Sequence, residues 1–279
     1  MSTPPSPRQR QTQAPRLEFS RVVRDFPDPT GKTALRVIDR VDFAVEQGRF
    51  TAIVGPSGCG KSTLLQMVAG LLAPTAGTVR QNGRAIQGLN RSVGLVPQQA
   101  KLLPWKTLAE NVELPLLLAR VAPKERERRG REIVAAVGLK GFENYYPHQL
   151  SGGMQKRASI ARTLIYRPEL ILMDEPFGAL DAQTRMLMQD DLQRLWSSEG
   201  STIVFVTHDL TEAILLADNV IVLSRRPAKV KANLAIDLPR PRNVFEPFRT
   251  QGFTETYDRL WAVFKSELRP PPLGGEAVP

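Results

Sequence analysis

Residues 50–63 read FTAIVGPSGCGKST. A short apolar run rich in β-branched side chains enters a loop with three glycines, and a lysine and two hydroxyl residues follow. Gly55, Gly60, Lys61 and Ser62 have the spacing G-x-x-x-x-G-K-[ST]. The motif sits between a predicted strand and a predicted helix, which is the context it demands. Glycines let the backbone wrap closely around phosphate oxygens. Exposed N–H groups and the following helix N-terminus favour the anion. Lys61 is thereby expected to reach β- and γ-phosphates, and Ser62 to ligate Mg²⁺. Pro56, Ser57, Gly58, Cys59 and Thr63 complete the expected cradle, with Cys59 as a small loop residue.

Outward from this loop the chain alternates strands and helices. VDFAVEQG (41–48) reads as a strand and turn, and GTVRQNG (77–83) as a strand ending in an Asn-Gly turn. Residues 105–165 read as mainly helical, with boundaries near Pro115, Pro123, Gly138 and Pro147. LILM (170–173), TIVFVT (202–207) and VIVL (220–223) are continuous apolar runs, as expected of parallel strands buried on both faces. Helical segments separate them, so the pattern is that of an α/β fold with crossover connections. Residues 243–268 contain aromatics and suit a helix, and PPPLGG (270–275) reads as a loose tail.

Two of those strands end in functional side chains. LILMDEP places Asp174 and Glu175 where a buried strand stops, and ligands of open α/β sheets sit beyond the carboxyl ends of strands. Asp174 is expected to hold Mg²⁺ and Glu175 to orient or deprotonate an attacking water. TIVFVTHD repeats the geometry, with His208 expected beside the γ-phosphate and that water. Farther from the first loop, LSGGMQKR (150–157) is a second glycine-rich helix start, with Ser151 as a plausible N-cap and the helix beginning near Met154. Two phosphate-binding faces on one chain suggest a head-to-tail dimer, in which each nucleotide is sandwiched between the two loops. An ordinary capped helix start remains the plain alternative.

Taken together, these motifs resemble an ATP-binding-cassette (ABC) transporter ATPase over residues 17–225, in that family's order. GPSGCGKST resembles the Walker A loop, LSGGM the signature, ILMDE Walker B with its catalytic Glu, and GALD (178–181) the D-loop. His208 matches the switch histidine and Gln98 the Q-loop glutamine. Phe26 matches the aromatic that stacks on adenine. Pro97 stands where an aromatic often precedes the Q-loop glutamine. The resemblance implies a P-loop NTPase core with an antiparallel β subdomain, and a helical subdomain at about 99–165 carrying the signature. It implies ATP and Mg²⁺ as cofactors, with Ser62, Gln98 and Asp174 at the metal. Lys61, Gln98, Glu175 and His208 are implied as catalytic. Ser151, Gly152 and Gly153 are implied to contact the partner's ATP, and Asp181 is implied to bind the nucleotide.

Longer phrases, among them LLPWKTLAENV (102–112) and DEPFGALDAQTR (174–185), look like the nitrate/sulfonate/taurine import ATPases. That resemblance implies a homodimer docked on transmembrane permease subunits at the cytoplasmic face of the inner membrane, served by a solute-binding protein. Leu102, Leu103 and Trp105 are then candidates for a permease-docking groove, with subdomain core as the other reading. The ABC match spans an ATPase domain (17–225); the Pro-, Ser-, Gln- and Arg-rich residues 1–16 read as a disordered tail and residues 226–279 as a partly disordered extension.

Bulk composition agrees. Hydrophobic content of 42% and charged content of 24% are ordinary for a globular protein. No apolar run suits a membrane helix, and no secretory signal is read at the N-terminus. One Cys excludes an internal disulfide framework, and two His with one Cys speak against structural zinc. The net charge of +10 is concentrated in residues 1–16, 124–131 and 225–242. These stretches suit solvation or an anionic lipid face. They lack the interleaved aromatics of nucleic-acid binders, and no nucleic-acid partner is expected. A family member acting on DNA needs a long insertion between loop and signature, for which residues 64–149 leave no room. One acting on ribosomes usually carries two cassettes.

Overall fold

The computed structural model describes residues 16–27, 34–178 and 180–267. Most of the expected N-terminal tail and the PPPLGG segment lie outside the described residues, as does Ala179. Arg16, assigned above to the tail, is buried instead. Its guanidinium donates to Asn82 Oδ1 at 3.1 Å and Glu169 Oε2 at 2.6 Å, which pins the chain where the first strand starts.

β1 (Leu17–Pro27) and β2 (Ala34–Val45) pair antiparallel. β3 (Phe50–Val54) runs through the glycine loop into α1 (Lys61–Val68). β4 (Ala76–Gln81) and β5 (Arg84–Ala85) form a hairpin closed by Asn82 and Gly83, both at positive φ (51° and 75°), the turn expected for Asn-Gly. β6 (Val93–Val96) leads to a helical lobe of α2 (Leu108–Leu118), α3 (Pro123–Ala136) and α4 (Gly152–Leu164). The chain then alternates through β7 (Leu170–Asp174), α5 (Ala182–Glu199), β8 (Thr202–Thr207), α6 (Leu210–Leu216) and β9 (Asn219–Leu223). It closes with β10 (Val230–Ala235) and α7 (Phe253–Phe264).

The strands form two sheets. One runs β2-β1-β4-β5 and is antiparallel. The other runs β10-β9-β3-β8-β7-β6, parallel except for β10 at its edge. Alternation along the apolar runs fills both faces of the second sheet. On β8, Ile203 and Phe205 enter one core with residues of α5, α6 and α7, while Val204 and Val206 enter another with α1 and the antiparallel sheet. A third core, including Leu108, Val112, Val134 and Ala158, holds the helical lobe.

Two expectations need correction. Pro115 does not bound a helix; it lies inside α2. The proline removes one helical hydrogen bond, but Val112 and Leu116 stay buried on either side of it. A capping box between Thr107 and Glu110 also fixes the helix start. Nor is residue 225 a packing boundary. β10 pairs with β9, and Ile236, Val244, Phe253, Leu260 and Phe264 share the core that contains Phe205. The helix expected within 243–268 occupies Phe253–Phe264.

Candidate functional site

The parallel strands end in register: Val54 lies opposite Thr207, and Val206 opposite Asp174. The loop after β3 and the acidic pair after β7 therefore arrive at one edge. Lys61 is buried, and its Nζ donates to the carbonyls of Gly55 (2.8 Å) and Pro56 (3.0 Å), which closes the loop around its own ammonium. Gly60 turns the chain at φ 116°, and a Cβ there would stand 2.7 Å from Ile38 Cδ1. Cys59 is buried beneath the loop, and burial pushes its thiol pKa up.

Ser62 Oγ donates to Asp174 Oδ1 at 2.9 Å. Burial raises the Asp174 pKa; the Ser62 hydrogen bond opposes this, and the charge of Glu175 adds to it. Glu175 leaves the strand at φ 41°, a left-handed backbone that is uncommon for a non-glycine residue. Its N–H is held by the Val206 carbonyl at 3.0 Å. In that pose Glu175 Oε2 lies 3.4 Å from Gln98 Nε2 and 3.4 Å from His208 Nδ1. One carboxylate oxygen thus stands between Gln98 and His208, at distances long enough to tighten.

A cavity of about 460 Å³ opens over these groups, lined by Phe26, Val37, Lys61, Ser62, Gln98, Glu175 and Arg226 among others. Phe26 is half-buried, with the Arg24 guanidinium 4.6 Å above its ring. Among the described residues no group of three or more His, Cys, Asp or Glu could hold a metal. The oxygens of Ser62, Asp174 and Gln98 are hard donors instead. Such a sparse set suits Mg²⁺, which takes its remaining oxygens from phosphate and water.

Ser151, Gly152, Gly153 and Asp181 do not line this cavity. Ser151 Oγ accepts from Met154 N–H at 3.2 Å and caps α4, as expected from the sequence. A Cβ on Gly152 would meet nothing within 4 Å, and one on Gly153 would stand 3.4 Å from Leu180 Cδ2. Asp181 caps α5 by accepting from Thr184 N–H at 2.9 Å. The second glycine loop therefore lies outside the cavity formed by the first.

Two features escaped sequence reasoning. Arg226 reaches back from the segment after β9 to donate to the Gly58 carbonyl at 2.7 Å. In the sequence it is only one of several bases in 225–242. Behind His208, buried Glu212 accepts from Thr207 Oγ1 (2.6 Å) and Gln189 Nε2 (3.2 Å), which ties the end of β8 to α5. Nothing local in the sequence marks Glu212 as buried.

Residues 38–178 match the family model described as ABC transporter. The chain is similar to an uncharacterized ABC transporter ATP-binding protein of Methanocaldococcus jannaschii, 46% identical across 84% of this chain and 86% of the relative. It is 41% identical to the aliphatic sulfonates import ATP-binding protein SsuB of Bacillus licheniformis, over 81% and 89% of the two chains. It is 44% identical to the taurine import ATP-binding protein TauB of Pelagibacter ubique, over 74% and 77%. Among solved structures it resembles the ATP-binding cassette MJ0796, a dimer in a post-hydrolysis state bound to ADP and Pi. The TM-score is 0.71 at 32% identity, over 79% of this chain and 98% of that one. The chain thus belongs to the ABC transporter family, as one of its ATP-binding proteins: an ATPase whose hydrolysis of ATP is coupled to transport.

Proposed function

We propose that this chain is the motor subunit of an importer for a small oxyanionic solute of the nitrate, sulfonate or taurine kind. The observation that carries the reading is the meeting of Gln98, Glu175 and His208 at one carboxylate oxygen, beside the Ser62–Asp174 pair. Lys61 and the N–H groups of residues 58–63 bind the β- and γ-phosphates. Phe26 stacks on the base. Glu175 accepts the proton of the attacking water, while His208 and Gln98 orient that water against the γ-phosphate. Bound Mg²⁺, held by Ser62, Asp174 and Gln98, supplies charge neutralisation for the phosphates.

Ser151, Gly152 and Gly153 cap the nucleotide of a second copy, with Asp181 nearby, so two chains close head to tail over two ATP. The position of the second loop outside this chain's own cavity and the dimeric state of the cassette MJ0796 support this assembly. Trp105 is 70% exposed, which favours the docking reading over the core one. Leu102 also packs partly on the third core. Among the described residues no helix is long and apolar enough to cross a membrane. Membrane association then comes through permease subunits, at the cytoplasmic face of the membrane.

The sulfonate and taurine import activities named for the relatives at 41% and 44% identity support the solute class. Reconstitution with the cognate permease in proteoliposomes tests it. ATP turnover is expected to rise when binding protein loaded with taurine, an alkanesulfonate or nitrate is added outside. Turnover indifferent to all three contradicts the solute class.

A further inference from the structure

Residues 97–101 leave β6 as irregular backbone. Among the described residues no backbone–backbone hydrogen bond outside helices and strands involves them. Their carbonyls are held by side chains of α4. Lys156 Nζ donates to Pro97 O at 2.6 Å and to Gln98 O at 2.9 Å. Two turns farther on, Arg162 donates to Ala100 O at 3.2 Å and to Lys101 O at 3.1 Å. Thr163 Oγ1 reaches Leu95 O at 3.2 Å, where the strand ends. Side chains of α4 thus hold four carbonyls of the segment that carries Gln98 and one of β6 just before it.

Lys156 is the costly member. It is 5% exposed, and its ammonium donates to neutral carbonyls while the Asp174 charge acts on it without forming an ion pair. Burying a charge without a paired carboxylate is expensive, and an apolar residue of similar volume would be the cheaper filling. The side chain therefore contributes something that packing alone does not require. It fixes Gln98 to the helix whose N-terminus is the loop Ser151–Gly153. Along the axis, Lys156 lies about 8 Å and Arg162 about 16 Å from Ser151, at 1.5 Å per residue.

We propose that Lys156 and Arg162 are positioning residues that make the Gln98 segment ride on α4. Engagement of Ser151–Gly153 by the partner's nucleotide then sets the place of Gln98 beside Glu175 in this chain's own site. The inference rests on the functional reading above and deepens it: a stiff helix, loaded at one end and gripping the Gln98 backbone along its side, couples the two sites.

The test uses the full chain. Steady-state ATP turnover and equilibrium binding of a fluorescent ATP analogue are measured for wild type, K156M, K156R and R162Q. The expected result is a kcat lowered about tenfold in K156M with nucleotide Kd within about twofold, the signature of a group that acts in the transition state only. K156R, which keeps donors and charge, is expected to restore most of kcat, and R162Q to show a smaller loss of the same kind. A K156M kcat within twofold of wild type overturns the inference. So does parallel loss of kcat and affinity that K156R does not rescue. If K156M does not fold, R162Q decides by the same split, and an unchanged kcat there overturns it. A wild-type chain that binds ATP without Glu175-dependent turnover contradicts the functional reading, and the inference falls with it.

Discussion

His208 Nδ1 stands 3.4 Å from Glu175 Oε2, across the ends of two adjacent parallel strands. Neither side chain is aimed by a neighbour in sequence. The register of β7 and β8 brings them together, and the left-handed turn at Glu175 points its carboxylate back over the sheet edge. In the proposed mechanism Glu175 accepts the proton of the attacking water and His208 helps orient that water. Glu175→Gln is expected to keep ATP binding and to slow hydrolysis by about 10² to 10⁴, roughly 3 to 5 kcal/mol of lost barrier lowering. His208→Ala is expected to lose about 10²-fold. Single-turnover assays with a radiolabelled γ-phosphate check both, and near-normal rates would remove these residues from the reaction.

Gly60 meets two constraints on any side chain, its backbone conformation and its neighbours. Its φ is 116°, and a Cβ would press on Ile38 Cδ1 at 2.7 Å and Val37 Cγ1 at 3.0 Å. Gly60→Ala is expected to cost about 1 to 3 kcal/mol of stability. Thermal unfolding is then expected to fall by roughly 2 to 10 °C, with weakened nucleotide binding. A melting temperature within about 1 °C of wild type would show that the loop tolerates the side chain.

Cys59 lies inside the phosphate loop yet is closed off beneath it. Burial raises its thiol pKa, so the thiolate is scarcer at neutral pH than for an exposed cysteine. Alkylation by N-ethylmaleimide is expected to be slow in the native protein, to accelerate as pH rises, and to become rapid in denaturant. Stoichiometric labelling of the folded chain within minutes at pH 7 would contradict a buried thiol.

Trp105 presents an aromatic surface that is 70% exposed at the rim of the helical lobe. If it docks a permease helix, Trp105→Ala lowers solute uptake in proteoliposomes several-fold while ATP affinity of the isolated chain stays unchanged. Equal loss of ATP binding and transport would assign it to folding instead.

The stretches that were legible in the sequence share one property: the physics acting on them is local. Gly55–Thr63 announces its loop, Ser151 announces a helix cap, and the β-branched runs at 202–207 and 220–223 read as buried strands, which they form. Phe26 was reached through resemblance, and it lines the cavity with Lys61. What stayed hidden depends on partners distant in sequence. Lys156 meets carbonyls 58 and 59 positions away, and Arg226 one 168 positions away. Both bond to main-chain atoms, which leave no mark on residue type. Pro115 was misread because its local rule is real but weaker than the burial of Val112 and Leu116 around it. The segment after residue 225 begins with a basic stretch, yet Ile236, Val244, Phe253, Leu260 and Phe264 within it enter the core.

The central claim is that the loop Ser151–Gly153 completes the nucleotide site of a second copy. Light scattering of Glu175→Gln protein measures this directly, with and without MgATP, beside the same protein carrying Ser151→Arg. The account predicts a monomer without nucleotide, a dimer with MgATP, and no dimer once arginine occupies position 151. An ATP-dependent dimer that survives Ser151→Arg would contradict it.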